Sequence, residues 1–285
     1  MYHSLLQRQL KKAGITDLEN APELASLLKL LERVSRSYNE NDEERYTLER
    51  SLGLSSEEMQ ELHKKLEKQN KILHQVLTRY VAEEVANEIL ANPEEKLKLG
   101  GETRLLTVLF ADIRNYTGFS KGKDARLIIQ VLNKIFDKLV PIIFDERGTL
   151  DKFMGDAVMA FYGAPISYDD DAMRAVRTAV KMQKAMLDLR DSDPALSEIA
   201  FGAGIFTGYA VVGNLGTEQL MNYTCIGDSA NSAKRLQENA KADQILIDPA
   251  TYEAVLDAID ARPTEPLLLK GKKAPIIAYE VLGMK

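Results

Sequence analysis

Tryptophan is absent from this 285-residue chain, cysteine occurs once, and histidine three times. A single cysteine, Cys225, excludes an intrachain disulfide framework and a thiolate metal cluster. Flanked by Thr224 and Ile226 in a strand pattern, it reads as a small buried hydrophobe rather than a nucleophile. His3, His63 and His74 are far apart and lack ligand spacing, so they read as surface or helix-seam residues. No apolar run approaches the ~18 residues of a membrane span, and the start carries no signal-peptide pattern. The expected location is therefore the cytoplasm, as a free protein or as the soluble part of a larger or membrane-associated receptor. Basic residues are outnumbered, 37 against 43 acidic, and the net charge of −6 gives no support to nucleic-acid binding.

What is present divides in two. Residues 1–100 are charged, poor in glycine and free of strand-like runs. From Glu23 a heptad register can be followed through Leu24, Leu31, Tyr38, Arg45, Leu52, Met59, Leu66, Leu73 and Tyr80. The interleaved positions are Leu27, Val34, Asn41, Leu48, Ser55, Leu62, Gln69 and Val76. Such a 3–4 alternation predicts helices meeting along a narrow seam, as a coiled coil or bundle that favours dimerisation. Gly53 followed by the capping-box pattern Ser55-Ser56-Glu57-Glu58 predicts two helices, over about 23–52 and 56–90. Either a continuous stalk or a folded-back hairpin satisfies this pattern. Asn92-Pro93 is the expected stop.

Residues 101–285 alternate short apolar strands with amphipathic helices. Strands are expected at 105–111, 149–154, 157–162, 200–206, 209–213, 222–226 and 244–248, with two more closing the chain. Helices are expected at 124–146, 169–190, 228–240 and 250–259, the first with a kink or reset at Pro141. The opening β-α-β-β-α-β order is that of an α+β, ferredoxin-like sheet with helices on one face.

Two carboxylates stand out. Asp112 ends the strand pattern Leu105–Ala111, and Asp156 follows Gly155 at the turn between two strands. Each alone reads as a cap or turn residue. Placed together by neighbouring strands, they suit a divalent-metal, phosphoryl-transfer site. Lys152 sits four residues earlier, where a lysine is either an exposed strand position or a donor to a base. Asn231 and Arg235, four apart, share one face of a helix opened by Gly227-Asp228, which suits an anionic ligand or a solvated polar face. Lys270-Gly271-Lys272-Lys273 is a phosphate anchor or a basic turn.

Taken together, Phe110-Ala111-Asp112-Ile113, Gly148 to Ala160, Gly208 to Gly216 and Tyr223 to Arg235 resemble the class III adenylate and guanylate cyclases over essentially all of 101–285. The resemblance implies that Asp112 and Asp156, with the Ile113 carbonyl, hold two Mg2+ or Mn2+ ions per site. It implies that Lys152 and Thr224 read the purine, Asn231 orients the ribose, Arg235 stabilises the transferring phosphorus, and Lys270 holds the terminal phosphates. Guanylate members carry Glu and Cys at the positions of Lys152 and Thr224, so the implied substrate is ATP and the implied activity adenylate cyclase. Thr224 resembles a bacterial subgroup, some of whose members respond to bicarbonate. Metal and base-reading residues of one site come from different protomers in this family, which implies a homodimer, with 1–100 similar to helical transmitters below an upstream sensor. This chain departs from the family at Asn115-Tyr116-Thr117, where Gly-Phe-Thr is common, at Leu220, where arginine is common, and at Ser229-Ala230. A silent cyclase-like regulator and a guanylate cyclase are the rival expectations; the Gly-Gly-Asp-Glu-Phe signature of a diguanylate cyclase is missing.

Overall fold

The computed structural model describes residues 4–12, 14–15, 24–80, 87, 90, 92, 98–272 and 274–285. They fall into two compact units, Met1–Leu73 and His74–Lys285.

Helix α1 (Ser4–Lys12) precedes α2 (Leu24–Tyr80), a single helix of 57 residues, most of which belongs to the first unit. The Arg33 guanidinium donates to the Lys12 carbonyl at 2.6 Å, tying the end of α1 to α2. The expected break at Gly53 does not occur. One helical glycine costs only about 1 kcal/mol relative to alanine, and the surrounding Leu, Glu, Lys and Gln residues are strong helix formers. With the helix uninterrupted, Ser55 has no free first-turn amide to cap. Of the stop at Asn92-Pro93, only Asn92 lies within the described residues. Seam residues Tyr38, Leu48, Leu52, Met59, Leu62, Leu66 and Leu73 are each at least half exposed. His63 pairs with Glu67 at 3.3 Å on the helix surface, in keeping with its surface reading.

The second unit is built on one eight-stranded sheet. Its strands are β1 (Gly100–Arg114), β2 (Thr149–Met154), β3 (Ala157–Tyr162), β4 (Ala200–Thr217), β5 (Leu220–Ile226), β6 (Gln244–Ile247), β7 (Ile259–Pro263) and β8 (Tyr279–Met284). The order is β2-β3-β1-β4-β6-β8-β7, with β5 pairing the far half of β4. The expected strands at 200–206 and 209–213 are one strand, because β4 pairs with β1 from Ala200 to Asn214 and with β5 from Val211 to Thr217.

After β1 come a short helix α3 (Tyr116–Ser120) and α4 (Ala125–Asp145); the later helices are α5 (Asp171–Ser192), α6 (Asp228–Asn239) and α7 (Pro249–Val255). Asp124 caps α4 by accepting from the Arg126 amide at 2.7 Å. Helix α4 runs on past Pro141 and buries Ile135, Leu139 and Ile143, spaced four apart on one face. Fully burying such a side chain stabilises the fold by about 2–3 kcal/mol.

Helices cover both faces of the sheet, not one. Odd-numbered Leu109, Ala111 and Ile113 of β1 pack with α4, α5 and α7. Even-numbered Val108 and Phe110 pack with Ala230 and Ala233 of α6 on the opposite face. Alternation along β1 makes both faces apolar, so each needs a cover. Helix α6 comes close because a Cβ at Gly204 would collide with the backbone of Ala233 and Gln237.

Candidate active site

Register puts the two aspartates side by side. Asp112 pairs with Ala157, the first residue of β3, so Asp156 in the preceding turn stands next to it. That turn needs Gly155 at φ 68°, a left-handed conformation that glycine adopts without cost. Burial first, and then the Asp156 charge, lift the Asp112 carboxyl to about 6, against the opposing pull of Arg114. Oδ2 of Asp112 accepts from Gln237 Nε2 of α6 at 2.7 Å and lies 3.4 Å from Arg114 Nη1. Oδ1 is buried with no hydrogen-bond partner. Two adjacent carboxylates, one of them with an orphaned oxygen and a proton affinity raised by burial and by its neighbour's charge, fit a divalent cation by charge and by donor type. Among the described residues no third His, Cys, Asp or Glu joins them. A cation here would take its other ligands from backbone carbonyls, phosphate or water; Ile113, whose carbonyl the sequence reading names, has its side chain buried in the core.

The turn after Asp112 explains one departure from the family pattern. Asn115 adopts φ 63°, and asparagine is among the few non-glycine residues that tolerate this region. Tyr116 follows beside the site: burial, then the Asp156 charge, push its hydroxyl above the usual tyrosine range.

Lys152 and Thr224 also meet. Lys152 Nζ donates to Thr224 Oγ1 at 3.2 Å, across from β2 to β5. Thr224 is buried at 3 % exposure. It lines an open recess of about 320 Å³ with Gly101, Val211, Gly213 and Ile226. A residue that sequence reasoning passed over completes this group. Asp151, whose side chain is 1 % exposed, accepts from the Thr224 hydroxyl at 2.5 Å and lies 3.2 Å from Lys152 Nζ. Neighbours in a regular strand point to opposite faces, which hides such a pairing. Here β2 bulges between Leu150 and Lys152, and the extra residue lets both side chains turn toward β5.

Asn231 and Arg235 lie on the solvent side of α6, while Gln237 on its other side reaches Asp112. Arg235 is held by Glu238 at 2.5 Å. Lys270 is exposed before the turn at Gly271. The inward-turned lysine of that loop is Lys272, whose Nζ bonds the Asp228 carboxylate at the start of α6. Leu220 is 71 % exposed at the start of β5. Cys225 is buried, and burial raises its thiol to about 12, which excludes a thiolate nucleophile at neutral pH.

Residues 101–283 match the family model described as adenylate and guanylate cyclase catalytic domain. Over 217 residues, 74% of this chain, the sequence is 33% identical to the terminal-differentiation-specific adenylate cyclase of Dictyostelium discoideum. Over 207 residues, 70% of this chain, it is 29% identical to adenylate cyclase 1 of Rhizobium meliloti. The matched segment spans 10% and 31% of the length of those two relatives. Among solved structures, the adenylyl cyclase CyaB from P. aeruginosa aligns at TM-score 0.63 and 35% identity, over 66% of this chain and 98% of that one. The guanylyl cyclase Cya2 aligns at TM-score 0.60, also at 35% identity, over 66% of this chain and 96% of that one.

Proposed function

The chain belongs to the adenylate and guanylate cyclase catalytic-domain family, and from that premise we propose that it converts ATP to 3′,5′-cyclic AMP and pyrophosphate. The observation that carries the choice of ATP is the Lys152–Thr224 contact of 3.2 Å. A lysine donor meets the unprotonated N1 of adenine, whereas guanine presents a protonated N1 that calls for a carboxylate.

In the reaction the 3′ oxygen of ATP attacks the α-phosphorus, and the bond to pyrophosphate breaks. The 3′ proton leaves to solvent or to the departing pyrophosphate. Asp112, Asp156 and the Ile113 carbonyl would hold Mg2+ or Mn2+, two per site. Bound there, the ions would supply positive charge for the attacking 3′ oxygen and the phosphate oxygens. Lys152 and Thr224 fix the base, Asn231 the ribose, and Arg235 faces the charge that develops on the phosphorus. Lys270 takes the terminal phosphates.

The working unit is a homodimer with two equivalent sites across a two-fold axis. Support comes from the exposed apolar seam of α2 and from Asn231 and Arg235, which stand on the solvent side of α6. Each protomer would lend its aspartates to one site and its Lys152, Thr224, Asn231 and Arg235 to the other. Cya2, a guanylyl cyclase, is as similar in sequence as CyaB, so GTP is the control substrate. Product analysis from ATP and from GTP, with Mg2+ and Mn2+ in turn, tests the proposal. Cyclic AMP is expected as the main product; cyclic GMP in excess, or no cyclic nucleotide at all, overturns it.

A further inference from the structure

Resting on the reading above, we propose that Asp151 is the residue that sets the hydrogen-bond polarity of the purine site, and with it the preference for adenine over guanine. A threonine hydroxyl is ambivalent, with one hydrogen to donate and two lone pairs to accept with. By itself Thr224 would accept from the N6 amino group of adenine or donate to O6 of guanine with equal ease. Asp151 removes that ambivalence. Its carboxylate is acceptor-only, and at 2.5 Å from Oγ1 it takes the single Thr224 hydrogen.

The Thr224 oxygen is then committed to accepting. One lone pair takes the Lys152 ammonium at 3.2 Å, and the other remains for a ligand in the recess that Thr224 lines. Lys152 has its own constraint. Of its three N–H donors, one serves Thr224 and another lies toward Asp151 at 3.2 Å, leaving one for a base. A donor from Lys152 beside an acceptor from Thr224 matches adenine, whose N1 accepts and whose N6 donates. Against guanine both contacts are inverted: N1–H meets the lysine donor, and O6 meets the filled lone pair of Thr224. A site that leaves buried polar groups unpaired against the wrong ligand discriminates strongly.

Asp151 is thus a positioning residue that acts through Thr224. Its burial and its place in the β2 bulge allow that carboxylate to reach the hydroxyl while its neighbour Lys152 reaches the same oxygen.

The test is a double-mutant cycle on the full chain. It is read as the ratio of kcat/KM for ATP to that for GTP, with equilibrium binding of each nucleotide measured in parallel. Asp151→Asn keeps the shape but offers an amide that can donate to Thr224, freeing its hydroxyl to turn outward. The ATP:GTP ratio is expected to fall about tenfold to a hundredfold, carried by weaker ATP binding. Asp151→Ser, smaller and without charge, should lower it likewise and serves if the amide variant fails to fold. In a Thr224→Val background, where the ratio is already low, Asp151→Asn should change it by less than about twofold, since coupled residues are non-additive. An unchanged ratio in the Asp151 variants, or an equal fall with and without the Thr224 hydroxyl, overturns the inference and leaves the cyclase reading standing. A wild-type protein that neither binds nor turns over ATP overturns both.

Discussion

Two aspartates near the ends of strands β1 and β6, one half-buried and one buried, show opposite solutions to the same physical problem. Asp248, 2 % exposed after β6, opens α7 and accepts from the amides of Thr207 at 3.0 Å, Ala250 at 3.1 Å and Thr251 at 3.2 Å. The Thr251 hydroxyl donates to it as well, and passes the network on through Thr207 to Thr107. Asp112, on β1, accepts from Gln237 and has Arg114 nearby, but its other oxygen is orphaned. Burial raises the proton affinity of both. A carboxylate supplied with every donor it can use is a structural fastening, whereas one left short is prepared for a ligand. Among the described residues, the buried side-chain atoms without a hydrogen-bond partner are Asp112 Oδ1, Arg114 Nε, Asp151 Oδ1 and Ser232 Oγ. Three of the four belong to the site or its immediate support.

The sharpest way to break this comparison is Asp112→Asn. Turnover should fall by a thousandfold or more, about 4 kcal/mol of transition-state stabilisation, while the melting temperature holds or rises. A cyclase assay beside a thermal melt checks it; a parallel loss of stability would place Asp112 with Asp248. Arg235→Ala should cost about a hundredfold in kcat with little change in stability. Mixing it with Asp112→Ala should restore activity, because the hybrid dimer retains one intact site. No recovery on mixing would mean that both residues serve the site of their own chain. Asp248→Ala should behave in the opposite sense, losing about 2 kcal/mol in a denaturant titration with kcat/KM nearly unchanged in the folded protein.

The smallest effect is expected at Glu146. Burial alone would raise its proton affinity, but hydrogen bonds from Lys181 at 2.6 Å and Arg177 at 2.8 Å outweigh that and lower it. Glu146→Gln should cost about 1 kcal/mol at neutral pH, since both cations reach solvent. A carboxyl whose folded proton affinity is depressed contributes fully above its unfolded value and loses that contribution as pH falls through the folded one. The difference in melting temperature between wild type and variant should therefore be flat above neutrality and close in acid.

Much of the second unit was legible because its signals are local. The strands at 149–154 and 157–162 agree with the sequence reading to the residue, since Gly148 and Gly155 punctuate short apolar runs. Likewise Gly227-Asp228 marks the start of α6. What escaped depends on distant partners. Whether Gly53 ends a helix depends on its neighbours' propensities summed over many turns. Whether 200–217 is one strand or two depends on what β1 and β5 offer alongside it. The placement of α6 across the sheet from the other helices follows from both faces of β1 being apolar. Within the site, the pairing of Asp112 with Asp156 was legible from spacing. Asp151 was not, because the bulge that turns it toward Thr224 is a property of the β2–β3 pairing.

That one unpaired residue gives β2 something like a reading frame. Upstream of it, Leu150 packs into the core beneath α4 and α5; downstream, Met154 belongs to the core on the α6 face. Four residues of unbroken alternation would have put the two on the same side. The frame shift is what sends Phe153 toward α4, where its ring lies 4.6 Å from that of Phe136, and Lys152 toward β5. Lengthening or shortening the strand by a single residue would exchange those two side chains between the faces of the sheet. The position proposed to read the purine would then hold a phenyl ring, and the seam under α4 an ammonium. In β2 the number of residues, as much as their identity, specifies the chemistry.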